Sequence, residues 1–97
     1  NPFLENEYAE KRITAQNGQI DSTSRDLVLH ALGQMPNHLL ARYYYGIMLK
    51  QSDKPSQALN VLRDLYRDLP KDDPLGNATE SEIKALQALS DARTDAQ

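Results

Sequence analysis

Apolar positions in this chain recur every three or four residues and no segment alternates with a period of two, so the pattern predicts helices and no strands. Over residues 3–16, Leu4, Tyr8 and Ala15 fall near helical spacing with Lys11 in the same row, and Glu5 and Glu7 occupy the opening turns, where the helix dipole favours acids. Asn17-Gly18 ends this segment as a turn. Asp21-Ser22-Thr23-Ser24 offers N-cap side chains to a second helix, whose Leu27, Val28, Ala31, Leu32 and Met35 form one broad apolar face that Pro36 stops. A third helix over 37–51 is apolar nearly all round, through Leu39-Leu40-Ala41 and Tyr43-Tyr44-Tyr45, as expected of a central helix touched on several sides. Ser52-Asp53 is expected to close it and to cap a fourth helix, with Pro55 in the first turn and Leu59, Leu62, Leu65, Tyr66 and Leu69 as the buried stripe up to Pro70. After a spacer over 71–77, Thr79-x-x-Glu82 reads as a capping box that opens a fifth helix. There Ile83, Leu86 and Leu89 with Ala85, Ala88 and Ala92 are expected to face inward, and Glu82, Lys84, Gln87 and Asp91 to face water.

A longer period overlies the helical one. Pro36 and Pro70 are 34 residues apart, and Gly46, Ala58 and Pro70 follow one another at intervals of 12. Gly at the eighth place, Ala at the twentieth and Pro at the thirty-second of a 34-residue unit resemble the tetratricopeptide (TPR) helix–turn–helix repeat. The resemblance implies an all-α, TPR-like stack of antiparallel helix pairs with a C-terminal capping helix, about five helices in a single domain over 1–97. A degenerate repeat covers 3–36, a complete one 37–70, and the capping helix 78–95. Subtracting 34 places Ser52 on Gly18, Ala58 on Ser24, Leu62 on Val28, Leu65 on Ala31 and Pro70 on Pro36. At Gly46 and at Ala58 or Ser24, the helices of a pair are expected to cross so closely that only small side chains fit. The departures are Arg12 at the first repeat's Gly place, Arg42 where a large aromatic is usual, Tyr45 where Leu is usual and Leu49 where Tyr is usual. A small helical bundle with two prolines at this spacing is the alternative architecture.

Composition narrows the functional classes. The chain has 97 residues, 39% hydrophobic and 26% charged, which is globular rather than disordered. With a net charge of −3 and no basic run, nucleic acid is not an expected partner. Cysteine is absent, which removes disulfides, thiolate chemistry and Cys–zinc sites. No apolar run reaches the length of a membrane span, so this segment is not expected to insert directly into a bilayer. The chain opens on Asn1-Pro2, as expected of a mature product or an excised domain, and any targeting or anchoring segment would lie upstream. His30 and His38 are eight residues apart on different helices and read as solvated or cap-bound rather than as metal ligands. Ser22, Thr23 and Ser24 read as caps, Asp72-Asp73 as a solvated turn, and Asn77-Ala78-Thr79 is a low-specificity glycosylation sequon. No catalytic residues, no metal site and no cofactor are expected, so the chain reads as a binding module and not as an enzyme.

In TPR stacks the first helix of each pair lines the concave face. Carried over by position, the resemblance gives Leu40, Tyr43, Ile47, Lys50 and Gln51 from the complete repeat and Asn6, Ala9, Ile13 and Gln16 from the degenerate one. This peptide-binding groove would be apolar in the middle and polar at its edges, suited to an amphipathic helix. Lys50 is the one cation in it, available to a partner carboxylate for about 0.5–1 kcal/mol if exposed. The three consecutive tyrosines point about 100° apart on a helix and are not expected to form one patch. Tyr45 is the expected core member and Tyr43 the candidate ligand anchor.

A closer resemblance rests on one block of residues: Asn17-Gly18-Gln19-Ile20-Asp21, a helix ending at Pro36, Ala41-Arg42-Tyr43-Tyr44-Tyr45-Gly46, Gln57-Ala58-Leu59, and Leu69-Pro70-Lys71-Asp72-Asp73-Pro74. This block resembles the C-terminal periplasmic TPR region of the CcmI/CycH-type proteins of bacterial cytochrome c maturation. It departs from their pattern where Val61 or Leu62 and then Leu75 stand in places where that family tends to carry Trp. The resemblance implies a periplasmic chaperone, tethered by any upstream membrane segment, that holds the C-terminal helix of apocytochrome c. Two other settings fit the same module: a substrate-positioning appendage of an envelope metallopeptidase, and a structural assembly adaptor.

Overall fold

The structure is a computed structural model that describes residues 2–95. It contains five α-helices in chain order: α1 (Pro2–Ala15), α2 (Ser22–Gln34), α3 (Leu39–Gln51), α4 (Pro55–Asp68) and α5 (Leu75–Asp95), with no strand among the described residues. Each helix packs on the next, and α5 also touches α3. The resulting stack measures 46 × 30 × 22 Å, longer than it is thick, as serial packing of short-linked helices requires.

Capping explains most of the boundaries. Asp21 is the N-cap of α2, where its Oδ1 accepts the Ser24 N–H at 2.8 Å. Arg12 of α1 and Gln16, just beyond its end, both donate to the other carboxylate oxygen, Oδ2. His38 caps α3: its Nδ1 accepts from Ala41 N–H at 3.4 Å and from Asn6 Nδ2 at 3.1 Å, which places the ring proton on Nε2. The helices that lead each pair end alike. In α1 the N–H groups of Asn17 and Gly18 return to the carbonyls of Thr14 and Ile13, and in α3 those of Asp53 and Lys54 return to Lys50 and Leu49. Asn17 and Asp53 adopt φ of 58° at these turns. Asp53 therefore closes α3 instead of capping α4, whose N-cap residue, Lys54, makes no side-chain cap bond. The first connection covers residues 16–21 and its counterpart only 52–54, so the 34-residue register slips by two inside the turn while the second helices of each pair stay close to it.

Helix α5 starts at Leu75, three residues before the expected start of the capping helix at residue 78. Asp73 accepts from Leu75 N–H with its side chain and from Gly76 N–H with its carbonyl, and Pro74 occupies the opening turn. Thr79 is then mid-helix and fully buried, with no hydrogen-bond partner for its Oγ1. The same burial hides the Thr of the glycosylation sequon.

Two core clusters share one residue. Leu49, Ala58, Leu59, Leu62, Leu65 and Leu86 form the larger, between α3, α4 and α5; Ala9, Ile13 and Val28 form the smaller, between α1 and α2; Tyr45 packs against both. The close crossing expected at Gly46 is present: a Cβ there would lie 2.5 Å from Leu62 Cδ2. Arg12, at the first pair's Gly place, lays its guanidinium past the buried Ser24, donating to Oγ at 3.4 Å, and ends on Asp21. Arg42 crosses from α3 to Asp68 on α4 at 2.9 Å.

Expected faces are turned in α1 and α5, and one residue departs in α4. In α1, Leu4, Tyr8 and Ala15 are exposed, and the inward row is Asn6, Ala9 and Ile13. In α5, Ala85, Ala88, Leu89 and Ala92 face outward while Leu86 and Thr79 are buried and Ile83 packs on the core, so only one side of this helix is covered. Glu82 and Gln87, expected to face water, instead reach Lys50 and Arg63. Tyr66, expected in the α4 stripe, is 44% exposed and donates to Glu80.

Candidate functional site

The leading helices α1 and α3, with the early turns of α5, enclose a concavity of about 400 Å³. Its walls include Ile13 and the Asn17-Gly18-Gln19 turn, the α3 row Tyr43, Tyr44, Ile47, Lys50 and Gln51, and Glu82 from across the groove. The α3 members recur at spacings of three and four, so one face of the helix presents them. The α1–α2 turn is held against this face by Gln51, whose Nε2 donates to the Gly18 carbonyl at 2.7 Å and whose Oε1 accepts the Ile20 N–H at 2.9 Å. No family model, curated protein or solved structure matches this chain.

Of the nine groove positions expected from sequence, Ile13, Tyr43, Ile47, Lys50 and Gln51 line the concavity. Leu40 is half-buried outside its lining. Asn6 and Ala9 are buried, Asn6 against His38 and Ala9 in the smaller core cluster, so neither offers surface to a ligand. Gln16 turns toward α2 and donates to Asp21 at 2.8 Å. The physical reason is the slip of two residues in the leading-helix register: the α1 row 6–9–13 is taken up by packing, and Gln16 falls in the turn beyond the helix.

Besides the turn residues Asn17, Gly18 and Gln19, two lining residues lie outside the sequence-derived set. Tyr44 shares the concavity with Tyr43, the rings meeting edge to face at 5.6 Å between centroids. The side chains are long enough to bring two of the three consecutive tyrosines to one wall, while Tyr45 helps line a notch of about 280 Å³ with Leu32, Pro36, Arg42, Val61 and Asp64. Glu82 is the other, paired with Lys50 at 2.6 Å and partly buried with it. The signal for Glu82 was masked by the capping-box pattern, which assigned its carboxylate to a helix N-terminus that lies elsewhere.

Burial pushes the Tyr43 phenol up, with the Glu82 charge as the second cause. Tyr44 is pushed up to about 12, by burial first and then by the charges of Glu10 and Tyr43. Both hydroxyls therefore keep their protons through neutral pH and remain hydrogen-bond donors. The concavity thus combines an apolar floor at Ile13 and Ile47, two phenols and a closed ion pair, groups suited to apolar contact and hydrogen bonding with a docked chain.

Proposed function

We propose that this chain is a non-catalytic peptide-binding module of the TPR type, whose concave face holds a helical segment of a partner protein. The observation that carries this reading is the convergence of Tyr43, Tyr44 and Ile47 with Ile13 and Glu82 around one open concavity. Aromatic side chains in a groove bury large area at little entropic cost, which makes Tyr43 and Tyr44 its anchors. The partner implied by the residue block resembling CcmI/CycH-type proteins is the C-terminal helix of apocytochrome c, held in the periplasm during haem attachment. An amphipathic helix fits an apolar floor with polar rims, and this compatibility supports the assignment without singling it out.

The test is an amide NMR titration of the chain with a C-terminal helix peptide from a c-type cytochrome. Saturable shifts centred on residues 43–51 and on Glu82 are expected. Shifts confined to α1 or to the α4–α5 turn would place the binding surface elsewhere and refute the reading.

The outward row Phe3, Leu4 and Tyr8, 54–62% exposed, supports a second reading, a structural adaptor that docks through its first helix. Substituting Leu4 and Tyr8 together separates the two, because only the adaptor loses its partner.

A further inference from the structure

Helix α1 lies at one end of the stack, with α2 packed along one side and His38 touching its inner row at Asn6. Its open face carries Leu4, Tyr8, Lys11 and Ala15, all exposed, at steps of four, three and four residues, which makes them one stripe along the helix. Leu4 and Tyr8, each more than half exposed, stand out from its N-terminal half. The C-terminal half is hollow instead, a depression of about 420 Å³ lined by Glu7, Glu10, Lys11, Thr14 and Ala15. The charges on this face are open too. Glu5 is taken by His30 and Arg12 by Asp21, whereas Glu7 and Lys11 have no ion-pair partner among the described residues.

Steps of four, three and four read the same from either end, so the stripe is complementary to itself. When a second α1 lies antiparallel across a two-fold axis, Leu4 of each copy falls opposite Ala15 of the other, and Tyr8 opposite Lys11. Leu4 then enters the hollow beside Thr14 and Ala15. The Lys11 stem lies along the Tyr8 ring and its ammonium reaches Glu7 of the facing copy. The Arg12 guanidinium, 6.0 Å from the centre of the Tyr8 ring, stays on Asp21. A parallel pairing would instead set Glu7 against Glu7 and Lys11 against Lys11.

Going beyond the peptide-binding reading, we infer that the outward face of α1 is a self-association surface, on which two copies of this chain pair antiparallel through Leu4, Tyr8, Lys11 and Ala15. One helix face of this length makes a small, transient interface. Glu10, a second acid beside a single cation, keeps the association weak. The two-fold axis closes the interface, so assembly stops at two chains.

The experiment is sedimentation equilibrium of the full chain over a wide range of concentration. The average mass is expected to rise from that of one chain toward that of two and no further. Glu7→Lys and Lys11→Glu should each weaken the association about tenfold, since each sets two like-charged pairs across the axis in place of two ion pairs. An equimolar mixture of the two variants should associate about as tightly as the unaltered chain, because the two cations of one copy then face the two carboxylates of the other. Circular dichroism should be unchanged in both, as positions 7 and 11 are exposed. Amide NMR shifts on diluting the unaltered chain should centre on residues 4–15 of α1. The mass of one chain at every concentration, growth beyond two chains, or a mixture no tighter than its components overturns the inference. Dilution shifts centred away from α1 also overturn it, without requiring any variant to fold.

Discussion

Gly46→Ala isolates the contact that sets the distance between α3 and α4. The new Cβ would lie 2.5 Å from Leu62 Cδ2 and 2.7 Å from Leu62 Cγ, about 1 Å inside ordinary van der Waals contact. Leu62 is fully buried among Leu49, Ala58, Leu59, Leu65 and Leu86, so it has no free volume to swing into. Overpacking of this kind costs about 1–3 kcal/mol. Replacing Gly by Ala in a helix interior returns about 0.5–1 kcal/mol. The expected net loss is about 1–2 kcal/mol, or a Tm lower by about 5–15 °C for a domain of this size. Urea unfolding followed by circular dichroism measures it directly. A double-mutant cycle sharpens the test: Leu62→Ala alone should cost about 2–5 kcal/mol through the cavity it leaves. In the double variant the methyl group added at position 46 has room, so the combined loss should fall short of the sum by about 1 kcal/mol or more. A neutral or stabilising Gly46→Ala, or strict additivity with Leu62→Ala, would show that this contact does not set the helix spacing.

Thr79→Val should stabilise the chain by about 1 kcal/mol in the same urea assay, because it removes a fully buried hydroxyl that has no partner. Hydrogen bonds from Gln16 first and from the Ser24 backbone next hold the Asp21 carboxyl well below the usual carboxylate range. Its contribution to stability is therefore full above the unfolded pKa of about 3.9 and is lost as pH falls from there toward the lower folded value. Asp21→Asn should accordingly flatten the acid limb of a stability–pH profile below about pH 4, and an unchanged acid limb would contradict the capping network. Leu4→Lys should change stability by less than about 0.5 kcal/mol, since Leu4 is 62% exposed. A large loss would restore Leu4 to the core row that the hydropathy pattern implies.

The middle of the chain was legible because its signals are local and redundant. Asp21 as a cap, Pro36 and Pro70 as stops, Pro55 in a first turn and the Leu59–Leu62–Leu65 row each point to the same elements. The two end helices were harder, for physical reasons. In α1 the inward row contains Asn6, a polar side chain whose burial depends on His38, 32 residues away, so a hydropathy pattern turns the helix the wrong way. Helix α5 is covered on one side only. Its alanines lose little by facing water, and apolar spacing alone could not distinguish the face with Leu86 from the face with Leu89. Its true start was written in Asp73-Pro74, a cap followed by a first-turn proline, but Gly76 and Asn77 gave the segment the composition of a turn. The groove inherited both errors. Of the expected α3 positions, Tyr43, Ile47, Lys50 and Gln51 line the concavity and Leu40 does not, whereas Asn6 and Ala9 on α1 are buried and Gln16, in the turn after it, bonds to Asp21.

Whether the concave face binds a helical peptide is decided by equilibrium titration with C-terminal helix peptides of c-type cytochromes. The chain and its Tyr43→Ala variant are compared, with helical content followed in parallel. Saturable binding to the unaltered chain is expected, with a loss of about tenfold or more in Tyr43→Ala and the helical signal of the variant retained. No saturable binding to the folded chain, or equal affinity for the variant, would rule out Tyr43 and its groove as the binding surface.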